Sequence, residues 1–254
     1  MTLSKVTIAP ISPSDYVEIA TLQSDAFAHE EFGRVAFGAE RVTETAWAVK
    51  SLGKGPGPGE TLHKMKAVVT LPDGAEEIVG FASWITCVGR GGSEEERKRL
   101  GTKEAWAEEE KGRDKKGKEE EFGNAKLRHD VLEVGDEFLA KATGGFDYAS
   151  KLWLLYRLYV HANKMLELAV LVVSPKYQRQ GIGAMLLEDG LKRADEASLQ
   201  TVLGASPFGL GLYQKYGFVG FETRDINLWE YEGGKGCGVN RTVMMHRPAG
   251  ARKS

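Results

Sequence analysis

Hydrophobic and polar positions fall into short blocks whose period switches between two and about 3.6, the pattern of strands interleaved with helices. An alternating run at 6–8 predicts a short strand, and Ser12-Pro13-Ser14-Asp15 behind it is a helix-start signal. From Tyr16, the residues Ile19, Ala20, Leu22, Ala26 and Phe27 predict a helix with one buried stripe. A second helix is expected around 40–51, closed by Gly53, and the Gly/Pro alternation at 54–59 excludes regular structure. A hairpin follows: a strand at 64–71, turn chemistry at Pro72-Asp73-Gly74, and a strand at 78–88 carrying Trp84 and Cys87 on opposite faces.

The pattern then breaks. Residues 94–121 hold nine Lys/Arg and eleven Asp/Glu of mixed sign, which reads as a solvated helix or loop with Trp106 as its one aromatic residue. Helices are expected at 126–142 and 148–164, the latter with Leu152, Leu155, Tyr156 and Tyr159 at helical spacing. The run 166–173 is nearly all Leu, Ala and Val and predicts a central strand buried on both faces. Ser174-Pro175 ends it. A helix at 182–197, a strand at 201–205, a helix at 209–216, a strand beginning at 218–222 and a last strand at 239–247 complete the chain. The class is α/β, without an internal repeat.

Composition narrows the function. The chain has 254 residues with formal net charge −2, which argues against coating nucleic acid or an anionic membrane. Cys87 and Cys237 are far apart and form neither a disulfide framework nor a zinc spacing, so a reducing compartment is expected. Cys87 has no His and Asp partner pattern and reads as a small buried residue. The first residues lack a secretory signal, and no apolar stretch reaches the roughly 20 residues needed to span a bilayer. A cytoplasmic protein is the expectation. His29, His63, His129, His161 and His246 are dispersed, and no metal is expected.

The chemistry concentrates at Ser174-Pro175-Lys176-Tyr177-Gln178-Arg179-Gln180-Gly181-Ile182-Gly183-Ala184, between a buried strand and a helix. Glycines there let the backbone approach a ligand, and the first amides of the helix point outward with the dipole favouring negative charge. With Arg179 alongside, a diphosphate-bearing ligand is expected. A nucleotide P-loop needs Gly-Lys-Ser/Thr, and a dinucleotide fingerprint needs a third glycine where Leu186 stands. By spacing alone, Gly-x-Gly after a strand is also what an ordinary turn requires.

The segment Gln178-Arg179-Gln180-Gly181-Ile182-Gly183-Ala184 resembles the Gln/Arg-x-x-Gly-x-Gly/Ala signature of the GCN5-related N-acetyltransferases. Residues 167–175 resemble that family's central strand and 185–196 its pyrophosphate-binding helix. Ala205-Ser206-Pro207, then Leu212-Tyr213-Gln214-Lys215-Tyr216-Gly217-Phe218, resembles its next block, and 241–248 the closing strand common in fungal members. The clear resemblance covers about 166–221; residues 6–88 agree in element order only.

The resemblance implies a single domain over 1–254: a mixed, mostly antiparallel sheet flanked by helices, splayed beside 166–173, with a charged helical insertion at about 91–164. It implies direct transfer of an acetyl group from acetyl-CoA to an amine. Leu171, Val172 and Val173 would hold the pantetheine through their backbone. The loop amides of Arg179, Gln180, Gly181, Ile182, Gly183 and Ala184 would take the pyrophosphate, and Ser206 would lie near the coenzyme arm. Glu167, fourteen residues before Gly181, stands where histone-type members carry a catalytic Glu. It could equally sit at an exposed strand end, paired with Lys164, or leave proton removal to water. Tyr213 occupies the position whose phenol serves the departing thiolate. Ordinary values near 10 and 8.5 make that transfer close to balanced. Tyr216 reads as packing, and the amide of Val173 would polarise the thioester carbonyl.

A small amine is the expected acceptor. Phe27, Phe32, Phe37, Trp47 and Trp84 would supply an apolar cleft, and Asp25, Glu30 and Glu31 acids for an ammonium group. Acetylation of protein lysines or amino termini is the alternative. A non-catalytic coenzyme A-binding domain is another, and nothing in the sequence fixes an oligomeric state.

Overall fold

The computed structural model describes residues 5–28, 30–37, 41–56, 60–87 and 165–251. The insertion at 91–164, its charged run and its two expected helices lie outside the described residues, as do the side chains of Phe37 and Cys87.

Among the described residues, seven strands form one sheet in the order β1-β2-β3-β4-β5-β7-β6. They are β1 (Val6–Pro10), β2 (Glu60–Thr70), β3 (Glu76–Cys87), β4 (Met165–Val173), β5 (Gln200–Ala205), β6 (Val219–Asn227) and β7 (Val239–Arg247). The described helices are α1 (Tyr16–Ala26), α2 (Glu31–Phe37), α3 (Arg41–Gly53), α4 (Ile182–Glu196) and α5 (Leu210–Lys215). Every pairing is antiparallel except β4 with β5, which α4 joins by a crossover. The helix-start signal at Ser12 is realised: its backbone N–H donates to Asp15 Oδ2 at 2.7 Å in a capping box ahead of α1.

The two faces carry separate cores. On one, α4 and α5 cover Met65, Ala82, Trp84, Leu166, Leu168 and Leu203. On the other, α1 and α3 bring Ile19, Leu22 and Leu52 onto Val68, Ile78, Phe81 and Val172. A third cluster joins Val35 and Ala36 of α2 to Leu228 and Cys237, in the segment linking β6 to β7. The sequence pattern does not predict α2, whose apolar partners lie about two hundred residues away.

Two contacts seat α4. Gly190 lies flush against the fully buried Trp84: a Cβ at Gly190 would stand 2.0 Å from the indole Cε2. At its far end, the buried Arg247 guanidinium donates to Asp195 at 2.7 and 3.2 Å and to the carbonyl oxygens of Tyr216 and Ala251. Charge-assisted, bidentate geometry of this kind fixes orientation as well as energy.

The central strand departs from expectation in its second half. Met165, Leu166, Leu168 and Val172 are buried, but Val170, Leu171 and Val173 are only half-buried and Ala169 is exposed. The cause is a bulge. Ser83 and Trp84 of β3 face Val170 and Leu168, so Ala169 is an extra residue without a partner. Beyond it the side-chain alternation reverses: Leu166 and Leu168 point to the α4 face, and so do Leu171 and Val173. Pairing with β5 stops at the same place, at Leu168↔Leu203, although both strands continue. The sheet therefore splits between the ends of β4 and β5.

Candidate active site

The split exposes backbone. Ser174 N donates to Val79 O at 2.9 Å, so by strand alternation Val172 also turns its polar groups toward β3. Leu171 and Val173 turn theirs the other way, into the split. Val172 thus differs from its two neighbours: its backbone belongs to the ladder, and its side chain to the α1 core. The Val173 carbonyl accepts a hydrogen bond from Gln178 Nε2 at 3.1 Å.

The loop after β4 is held by its side chains. Tyr177 Oη donates to Glu77 Oε2 of β3 at 2.7 Å, and Gln180 Nε2 to the Lys176 carbonyl at 3.3 Å. Arg179 and Gly181 have positive φ, 64° and 87°, and Gly181 is the N-cap of α4. The first backbone bond into the helix runs from Met185 N to Gly181 O, leaving the amides of Ile182, Gly183 and Ala184 without an acceptor among the described residues. The two glycines of the signature have different reasons. Gly181 is required by its backbone conformation, with open space where a Cβ would be. At Gly183 a Cβ would make ordinary contacts, 3.6–3.7 Å from Leu212, Leu171 and Val173. The chain's own packing does not demand a glycine there, so the demand falls to whatever lies over that turn.

Those same contacts bring the elements together: the first turn of α4, the free edge of β4 and Leu212 of α5 converge on one spot. Ser206 follows the last residue of β5, and its carbonyl accepts the amides of Gly209 and Leu210 to open α5. Tyr213 lies on α5, buried, edge-to-face with Phe218 at 5.9 Å between centroids. Gly209 makes room for it, since a Cβ there would stand 2.8 Å from the ring. The phenol makes no hydrogen bond among the described residues, and burial pushes its pKa up to about 12. Passing that proton to an ordinary thiolate near 8.5 would cost roughly 5 kcal/mol. The near balance expected from ordinary values does not hold, and the group is suited to donate a hydrogen bond while keeping its proton. Tyr216 packs in the core as expected, and its hydroxyl also donates to Glu188 Oε1 of α4 at 2.6 Å.

Glu167 is half-buried on β4, beside Ile85 and Val202. Leu166 and Leu168 face α4, so Glu167 faces the α1 side, opposite Tyr213. The split lies between the two residues. Phe27 and Trp47 are half-buried on the Glu167 side, and Phe32, on α2, packs against the cluster of Val35, Ala36, Leu228 and Cys237. Trp84 is on the other face, under α4, and takes no part in an acceptor cleft.

Of the histidines, His63 bonds Asp189 at 3.3 Å and His246 stacks edge-to-face on Phe221; no group of metal-ligating side chains gathers among the described residues. No helix among the described residues is long and apolar enough to cross a membrane. The free edges, unpaired amides, glycine cradle and Arg179 fit an extended, amide-bearing ligand ending in a diphosphate.

Residues 156–227 match the model of the acetyltransferase (GNAT) domain, a stretch that takes in β4, α4, β5, α5 and β6. No curated protein sequence matches the chain significantly. Among solved structures, the chain is similar to a histone acetyltransferase HPA2 and related acetyltransferase from Corynebacterium glutamicum. The two are 16% identical, cover 98% of this chain and 99% of that one, and superpose with a TM-score of 0.53. Arylalkylamine N-acetyltransferase 2 from Aedes aegypti gives 16% identity, 96% and 99% coverage and a TM-score of 0.53. NAA60 of Arabidopsis thaliana, in complex with a bisubstrate analogue, gives 12%, 97% and 99%, and 0.50. At such identities the likeness is one of fold.

Proposed function

We propose that this chain is an acetyl-CoA-dependent N-acetyltransferase of the GNAT family and that it moves the acetyl group directly to the amine of a small molecule. The observation that carries the reading is the split between β4 and β5, which has Tyr213 on one face and Glu167 on the other. Two substrates can enter from opposite sides and meet there without a covalent enzyme intermediate.

Acetyl-CoA, when bound, supplies the acetyl group as a thioester, whose C–S bond breaks as the C–N bond to the amine forms. The amides of Ile182, Gly183 and Ala184, shaped by Gly181, would take its diphosphate, with Arg179 and Gln180 beside them. Leu171 and Val173 would hold the pantetheine along the free edge of β4, with Ser206 across from it. The Val173 amide would polarise the thioester carbonyl, and the Tyr213 hydroxyl would donate to the departing sulfur. Glu167 would accept the amine's proton, directly or through water, because an ammonium has no lone pair with which to attack. We infer that all 254 residues form one domain, with 91–164 as an insertion, and that the protein works in the cytoplasm.

A small acceptor is favoured by α2. It docks onto the segment joining β6 to β7, through Val35 and Ala36 on Leu228 and Cys237, and a peptide acceptor would have to pass this contact. The test is thiol release from acetyl-CoA across a panel of arylalkylamines, polyamines, amino acids, aminoglycosides and lysine-bearing peptides, with Tyr213→Phe in parallel. Release that depends on a small amine and falls roughly 10- to 1,000-fold in the variant is expected. Peptide-only release would overturn the acceptor class. Binding of acetyl-CoA without release from any amine would favour a non-catalytic domain.

A further inference from the structure

We propose that Glu30 selects acceptors carrying a second cationic group in addition to the amine that is acetylated; this rests on the transferase reading above. The placement follows from what α1 and α2 touch. Helix α1 packs on β3 and β4. Helix α2 is fastened to the segment between β6 and β7: Gly238 N donates to Glu31 Oε2 at 2.6 Å, and Arg34 Nη2 lies 3.0 Å from Cys237 Sγ. That segment begins beyond Asn227↔Val239. Since Ala205 of β5 pairs with Val243 of β7, Val239 lies past the end of β5, at the end of the sheet where β4 and β5 part. The turn from α1 to α2, containing Glu30, therefore crosses from the β3–β4 side of the split to the β6–β7 side.

The two acids at this crossing are in different states. Glu31 is engaged by the Gly238 amide and lies 3.8 Å from Arg34. Glu30 is half-buried, and its carboxylate has neither a hydrogen bond nor an ion pair among the described residues. Burial alone pushes its pKa above the ordinary carboxylate value. A carboxylate that has lost water and gained no counter-charge is stabilised by a cation that reaches it. The nitrogen that attacks the thioester must be neutral when it does so, and it cannot be that cation. A second positive group on the same acceptor can.

The experiment compares kcat/KM for matched amines: putrescine against butylamine, and lysine amide against norleucine amide. Wild type, Glu30→Gln and Glu30→Asp are measured, with calorimetric acetyl-CoA binding to each as the check on folding. In wild type the dicationic member should lead by roughly 10- to 100-fold, chiefly through KM, as expected for a charge-assisted contact. The ratio should collapse toward one in Glu30→Gln and survive in part in Glu30→Asp. A wild-type ratio near one overturns the inference and leaves the transferase reading intact. So does a ratio unchanged in Glu30→Gln, or a loss shared equally by both members. Release with neither member of either pair, nor with any other amine of the panel, overturns the transferase reading and this inference with it.

Discussion

Replacing Gly190 by alanine sets two ordinary effects against each other, and the structure decides the sign. Within a helix, Gly→Ala is normally stabilising, by about 1 kcal/mol. Here the added methyl would lie 2.0, 2.2 and 2.6 Å from Trp84 Cε2, Cζ2 and Cδ2. Carbon atoms make contact at about 3.5–4.0 Å, so the ring or the helix must retreat by about 1.5 Å. Trp84 is fully buried among Leu166, Leu168, Leu187 and Leu191, and a close-packed interior has no room to receive it. Overpacking costs about 1–3 kcal/mol, and this displacement belongs at the upper end. The net expectation is a loss of about 1–2 kcal/mol, a fall of roughly 2–8 °C in Tm for a chain of this size. Thermal unfolding followed by circular dichroism, with urea titration for the free energy, measures it. In a Trp84→Leu background the clash is gone, and the same Gly190→Ala change should turn neutral or stabilising. A rise in Tm in the wild-type background, or an equal effect in both backgrounds, would refute the packing argument. The unpaired amides at the start of α4 move with the helix, so weaker coenzyme binding should accompany the lost stability.

The signature glycines should separate. Gly181→Ala, at φ 87°, is expected to lose about 1 kcal/mol or more of stability. Gly183→Ala should leave Tm nearly unchanged yet weaken acetyl-CoA binding by tenfold or more, read by calorimetry. His63 gives a pH signature: burial, then the Arg193 guanidinium, holds its pKa below the ordinary 6.5. Its contribution to stability is therefore complete above about pH 6.5 and lost as pH falls toward the lowered value, since the unfolded chain takes up the proton first. Tm measured from pH 7.5 to 5 should fall less steeply in His63→Gln, and equal slopes would contradict the shift. Tyr213, at about 12, should put no alkaline limb on kcat/KM below about pH 11. A limb near pH 10 that disappears in Tyr213→Phe would show an unperturbed phenol.

Strands, the crossover helix and the signature loop were readable because each is local: alternation, a proline stop and a glycine pair announce themselves within about ten residues. What escaped the sequence is relational. Helix α2 is seven residues long and gains its stability from Leu228 and Cys237, so no local period marks it. The apolar second half of β4 reads as doubly buried, yet Leu171 and Val173 are only half-buried and turn their backbone into the split, which no side-chain pattern reports. Nothing about Ala169 announces a bulge. Trp84 reads, with the other aromatic residues of the first helices and the hairpin, as part of an acceptor cleft, whereas its face depends on the bulged register of β3 against β4. Glycine inside a helical pattern was the available clue to its true neighbour, Gly190. The candidate catalytic pair was legible by family position, but its placement on opposite faces depends on which residues of β4 and α5 point where.

Among the described residues, the four pairs joining Met165–Leu168 to Gln200–Leu203 are the whole hydrogen-bonded seam between β1–β4 and β5–β7. Mechanically, the sheet is two plates fastened along a short weld, with α4 as the strap across it. Load applied between the plates concentrates on those rungs, as stress does at the tip of a crack. Removing Ala169 would restore the alternation and let the weld take up the two positions β5 still offers, Gly204 and Ala205. The crack would then start later, and the molecule would gain rigidity at the expense of the gap.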